Sequence, residues 1–116
     1  MAQRRLDIVQ FCVHTFRVWT LEIGESAKRE LASLKPFEGR RIVDAIQTIL
    51  PGAPDVETRN VKKLAGVSPA FVHVPPVWEL RVGEWRVYYD LDAQSRTVLI
   101  RAVRHKGNKT TQEVIK

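Results

Sequence analysis

At 116 residues and 13.3 kDa, the chain has the length of one domain with one core, because compact domains commonly hold about 100 to 150 residues. A hydrophobic fraction of 44% excludes general disorder, and the single cysteine, Cys12, excludes an internal disulfide and a cysteine-based metal cluster. The formal charge of +6 and pI of about 9.9 point to a polyanion or an acidic protein as partner.

The basic excess is uneven. Residues 1–56 carry eight Lys or Arg against seven Asp or Glu, while residues 57–116 carry eleven against six, so the field comes from the second half. His14, His73 and His105 are too far apart for a local metal motif, and we expect neither metal nor cofactor. No apolar run approaches the roughly 20 residues that cross a bilayer, and Asp7 interrupts the weakly apolar start, which leads us to expect a cytoplasmic protein with no membrane contact.

In chain order, His14 to Leu21 alternates Phe16, Val18 and Thr20 against Arg17 and Trp19, which predicts a first strand. Glu25 to Leu34 places Ala27, Leu31 and Leu34 at helical spacing, with Pro36 as its stop. A second helix is predicted over Glu38 to Leu50 from the stripe Ile42, Val43, Ile46, Ile49 and Leu50, ended by Pro51-Gly52. Residues 51–76 hold five prolines and no sustained period, so they are read as loop, with a short extended piece over Phe71 to Val74.

The remainder predicts a three-strand meander over Val77 to Val82, Trp85 to Leu91 and Thr97 to Arg104. Gly83 suits a tight turn that needs positive φ. Trp78, Leu80 and Val82 share one face with Trp85, Val87, Tyr89 and Leu91, and this is the core side. Glu79, Arg81, Arg86, Tyr88 and Asp90 share the other, which is read as free for function. In the last strand Leu99 and Val103 flank Arg101, and its faces stay unassigned. The order gives an α+β domain, two N-terminal helices packed on a mainly antiparallel four-stranded sheet, followed by a polar end that is frayed or forms one helical turn.

Three blocks carry a family signal: Lys62-Lys63-Leu64-Ala65-Gly66, then Trp78 to Asp90 (WELRVGEWRVYYD), then Val98 to Lys106 (VLIRAVRHK). Together they resemble the RelE/ParE toxin superfamily of type II toxin–antitoxin systems, with the RelE-like branch favoured. The resemblance runs over about residues 14–106 and is most specific over 77–106. It implies one toxin domain over 1–116, with 1–13 as an N-terminal extension and 107–116 as a tail.

The RelE-like branch implies a ribosome-dependent mRNA endoribonuclease in which a ribose 2′-hydroxyl attacks the adjacent phosphate without a metal. Such chemistry needs a proton acceptor, cations facing the phosphorane and a donor for the departing 5′-oxygen. Carried over by position, Arg81 and Lys106 match catalytic positions. His105 and Lys63 are further catalytic candidates, and Lys62, Arg101, Arg104 and Tyr88 are candidates for binding phosphate or stacking on a base. Arg86 matches an arginine shared by both branches and is read as structural. The chain departs from the pattern after Lys106, where Gly107-Asn108-Lys109-Thr110-Thr111 stands in place of an aromatic residue. The resemblance also implies a cognate antitoxin, with ribosome and mRNA as targets. The alternatives are a ParE-like inhibitor of DNA gyrase and a non-catalytic RNA-binding relative.

Overall fold

The computed structural model describes residues 18–116. Their order is β1 (Thr20–Ile23), α1 (Glu25–Ala32), α2 (Pro36–Ile49), β2 (Val61–Lys63), β3 (Trp78–Val82), β4 (Trp85–Asp92), β5 (Thr97–His105) and α3 (Thr111–Val114). The strands form one five-stranded sheet in the order β1-β5-β4-β3-β2. Only β1 with β5 is parallel, and the other pairs are antiparallel. The class is the expected α+β, with one strand more than the four predicted.

That extra strand is β2, inside the stretch read as loop. It has three residues, too few for an alternation to register in a sequence, and is set by its partner: Val61 faces Leu80 and Lys63 faces Trp78. Phe71 to Val74 forms bends instead of a strand. The first strand also differs from expectation. Within the described residues it begins at Thr20, while His14 to Arg17 lie outside them. Trp19 is buried and Val18 is exposed, so the bulkier side chain takes the core side. The Trp19 amide donates to the Pro51 carbonyl at 2.8 Å, and the Arg96 guanidinium lies 4.6 Å from its ring centroid.

Pro36 ends one helix and starts the next. Its fixed φ and missing N–H disfavour helix at the residue before it but fit a first helical turn, where the amide has no intrahelical partner. Accordingly α2 begins at Pro36, two residues earlier than its apolar stripe indicates. Ala27, Ile42, Ile46 and Leu50 pack against Leu80, Val87, Tyr89, Val98 and Ile100 to form the main core on one sheet face.

The last strand resisted assignment because its ladder is irregular. Tyr88 pairs with Ala102 while the next residue, Tyr89, pairs with Ile100, which leaves Arg101 as the extra residue of a bulge. An extra residue shifts the two-residue period by one. Val98 and Ile100 therefore face the core on one side of it and Val103 on the other.

The opposite sheet face is not free along its length. Val77, Tyr88, Ala102, Val114 and Ile115 form a second apolar cluster, with Leu64, Val67 and Phe71 packed on it. The C-terminal segment is thus a docked helical turn. Thr110 and Glu113 form a reciprocal capping box at its start, satisfying two otherwise orphaned amides, and the Ala70 amide donates to the Ile115 carbonyl at 3.0 Å. Ile115 is 1% exposed, and emptying such a site costs about 2 to 5 kcal/mol. Ile115→Ala is therefore expected to lower unfolding stability by at least about 2 kcal/mol in urea denaturation. A change under about 0.5 kcal/mol, the range of an ordinary surface substitution, would show that this segment is not docked.

Candidate functional site

The β3–β4 hairpin sets the geometry of the basic residues. Gly83 has φ of +60°, so the backbone favours glycine, and the tip of the exposed Arg41 side chain lies against the position a Cβ would take. The turn is then gripped from the strand that follows it. Arg86 Nη1 donates to the Gly83 carbonyl at 2.8 Å and to the Trp85 carbonyl at 2.9 Å. The Glu84 carbonyl between them accepts the Lys106 amide at 2.8 Å. Three consecutive carbonyls of the turn are thereby engaged, and the end of β5 is tied to it.

Register places Arg81 opposite Arg86 and Arg86 opposite Arg104, a row of guanidinium side chains across three strands. Neighbouring strands lie about 4.8 Å apart, so the outer two stem from backbones about 10 Å apart. Two carboxylates offset the row. Glu79, 2% exposed, puts its Oε1 3.1 Å from Arg81 Nε and 4.0 Å from Arg86 Nε. Glu30, reaching from α1, accepts Arg104 Nε at 2.6 Å with Oε2 and the Val103 amide at 2.8 Å with Oε1.

The candidate residues divide sharply in this frame. Arg81 keeps a side chain 46% exposed, and Lys62, paired in register with Glu79, stands on the same face. Lys106 lines a cavity of about 560 Å³ at the end of β5, together with Glu84, His105, Lys109, Glu113 and the Gly107-Asn108 turn. Arg81 does not line that cavity. His105 Nε2 lies 3.2 Å from Glu84 Oε1, and its ring meets Trp85 edge-on with centroids 4.9 Å apart.

Four candidates need correction. Lys63 is opposite Trp78 in register, on the helix-bearing face, and its ammonium lies 5.8 Å from the Trp78 ring centroid. Strand alternation therefore removes it from the face of Arg81. Tyr88 is fully buried and stacked on Phe71 at 5.7 Å, so its ring cannot receive a base. Arg101 donates to both oxygens of buried Asp90, at 2.8 and 3.3 Å. Arg104, besides Glu30, donates through Nη1 to the carbonyls of Val114 and Lys116, both at 2.9 Å, and lies 5.6 Å from the Phe71 ring centroid. Neither Arg101 nor Arg104 forms a basic rim. Arg86 is mostly buried and spends Nη1 on the turn, while its buried Nε makes no hydrogen bond among the described residues.

Sequence reasoning assigned no role to Glu79, Glu84 or Lys109. Glu79 shares a strand face with Arg81 two residues on, and that spacing was the available signal for a charge-paired position. Glu84 and Lys109 carried none, because turn residues gain their neighbours only when the strand ends meet. Burial first, and the nearby Glu79 carboxylate next, push the Tyr88 hydroxyl far above its ordinary range. Burial does the same for Tyr89, whose hydroxyl donates to the Pro54 carbonyl at 2.7 Å.

No family model matches the sequence, and no curated protein matches it. Solved structures do. The chain is similar to one in the toxin–antitoxin complex RelBE2 from Mycobacterium tuberculosis, with 25% identity and a TM-score of 0.61 over 76% of this chain and 98% of that one. It is also similar to a chain of the archaeal RelE–RelB complex from Pyrococcus horikoshii, with 22% identity and a TM-score of 0.60 over 78% and 98%. The isolated RelE toxin of E. coli matches at 20% identity and a TM-score of 0.56, over 73% and 81%. The class is thus a small α+β domain of RelE type, with a cavity at one end of its sheet lined by two lysines, two glutamates and a histidine. The likeness to these chains supports placing the domain with the RelE-like toxins.

Two predictions follow from these contacts. Arg104→Ala leaves a carboxylate and two carbonyls short of a donor and is expected to cost about 2 to 3 kcal/mol, against under about 0.5 kcal/mol for Lys106→Ala, by urea denaturation. Equal effects would remove the distinction between packed and free cations. For the tyrosines, the folded state holds both hydroxyls protonated above the unfolded value near 10. Their contribution to stability is present below about pH 10 and lost as pH rises beyond it. Absorbance at 295 nm should show tyrosinate only together with alkaline unfolding, and a titration near pH 10 in folded protein would contradict the burial.

Proposed function

We propose that this chain is the toxin of a type II toxin–antitoxin pair and that it cleaves messenger RNA on the ribosome. The observation that carries the reading is the meeting of Lys106, Lys109 and His105 on one open cavity at the end of β5 in a domain of RelE fold. The two ammonium groups there, beside the carboxylates of Glu84 and Glu113, can meet an RNA phosphate, and the imidazole next to them can take up or give a proton.

In this reading the 2′-oxygen bonds to phosphorus, the P–O5′ bond breaks, and the products are a 2′,3′-cyclic phosphate and a 5′-hydroxyl end. His105 accepts the 2′-hydroxyl proton, and the Lys106 ammonium protonates the departing 5′-oxygen. Lys109 offsets charge on the phosphorane. Arg81, held by Glu79 but still half in solvent, grips the RNA backbone on the sheet face outside the cavity with its planar fork. Lys62 extends that grip.

The likeness to chains of RelE–antitoxin complexes supports a cognate antitoxin as partner. Its chemistry follows from this surface: an acidic or amphipathic segment laid over Arg81 and Lys62 and across the lysines at the end of β5 would block it. The measurement that separates this reading from gyrase poisoning is mRNA 5′-end sequencing after a brief pulse of expression. New 5′-hydroxyl ends within translated frames, before any loss of DNA integrity, are expected. DNA damage first would favour the gyrase-binding reading. Arg81→Ala combined with Lys106→Ala is expected to reduce cleavage at least about 100-fold while the protein stays folded, and undiminished toxicity in that variant would remove the site.

A further inference from the structure

We infer that Glu84, at the tip of the β3–β4 hairpin, is the positioning residue for His105: its carboxylate holds the imidazole with the proton on Nε2, leaving Nδ1 to accept a proton from RNA. This rests on the endonuclease reading above for its catalytic consequence, though not for its structural one.

The ring is confined on several sides. Glu84 Oε1 lies 3.2 Å from Nε2, at ion-pair distance. The Trp85 ring meets the imidazole edge-on with centroids 4.9 Å apart. The opposite edge lies over Gly107, where a Cβ would stand 3.3 Å from Cε1 and 3.6 Å from Nδ1. Gly107 has φ of +53°, so the backbone as well as the ring favours the absence of a side chain. Nδ1 thus lies on the Gly107 side of the ring, and Gly107, Lys106 and Lys109 line the same cavity as His105.

A carboxylate can fix an imidazole only if its own backbone is fixed, and this is the unusual feature of the turn. The carbonyls of Gly83 and Trp85, on either side of Glu84, are both bound by Arg86, and the Glu84 carbonyl accepts the Lys106 amide. That last bond comes from the residue following His105, so the carboxylate and the imidazole are tied to one another through a single backbone bridge. A group that faces one ring nitrogen as an acceptor selects the tautomer carrying the proton there, and the other nitrogen is left as the base.

Both side chains are largely open to solvent, with 50% of His105 and 74% of Glu84 exposed. Exposed pairs contribute little to stability, so substitution at Glu84 should leave the fold intact, and any effect reads on the ring.

The test uses the full chain labelled with 15N at histidine. Long-range 15N–1H correlation should show His105 predominantly as the Nε2–H tautomer. Glu84→Ala should move it to the mixed tautomers of a free imidazole, and Glu84→Gln, which keeps an acceptor oxygen, should retain most of the bias. In ribosome-dependent cleavage, Glu84→Ala is expected to lower kcat about tenfold with KM within about twofold, and Glu84→Gln should recover much of the loss. An unchanged tautomer in Glu84→Ala, or Nδ1–H in the parent protein, would overturn the assignment. A changed tautomer with unchanged kcat would overturn its catalytic consequence. A parent protein that cuts no message would sink the nuclease reading alone, while the tautomer measurement still decides the role of Glu84.

Discussion

The carboxylate of Glu30 is the contact on which much of this molecule depends. Beyond Ile100, β1 no longer covers the edge of β5, and the Val103 amide there needs an acceptor from elsewhere. Glu30 supplies one oxygen to that amide and the other to Arg104. Arg104 in turn binds the carbonyls that finish the C-terminal segment. One side chain on α1 thus joins helix, sheet edge and tail. The β5 end that carries His105 and Lys106 follows directly from the strand so anchored.

The same contact explains why charge is a poor guide to function here unless its partners are known. The second half of the chain holds eleven basic residues, yet Arg86, Arg101 and Arg104 are spent on a turn, a buried aspartate and a helix–tail junction. Charged groups taken from water are retained only with hydrogen-bonded partners. Among those left toward solvent, Arg81 and Lys62 share one sheet face and Lys106 and Lys109 stand at the end of β5, while Arg59, Lys63 and Lys116 lie exposed elsewhere.

Much of the fold was legible from residue spacing. The two helical stripes, the core side of the hairpin and the positive φ at Gly83 all rest on local periods and turn chemistry, and the residues from Trp78 to Lys106 carried the family resemblance. The parts that were not legible depend on distant partners. Three residues at Val61–Lys63 show no period of their own, and Trp19 turns inward because Pro51 and Arg96 receive it. Tyr88 and Arg86 alternate together, but Ile115 and Phe71 cover one and not the other, and no local pattern reports where a chain end will dock. The candidate site was only half visible for the same reason: Lys106 and His105 were marked by the family pattern, while Glu84 and Lys109 join them only when the turn and the strand end close.

The bulge in β5 shows how such constraints combine. Asp90 is 1% exposed and bound to Arg101, the residue that the pairing ladder leaves over. The irregularity and the counter-ion are therefore one and the same. A regularised strand, shortened by that residue, would gain a perfect ladder and strand a carboxylate in the interior without a cation. The one irregular position of the ladder is also the one that supplies the cation for the buried carboxylate.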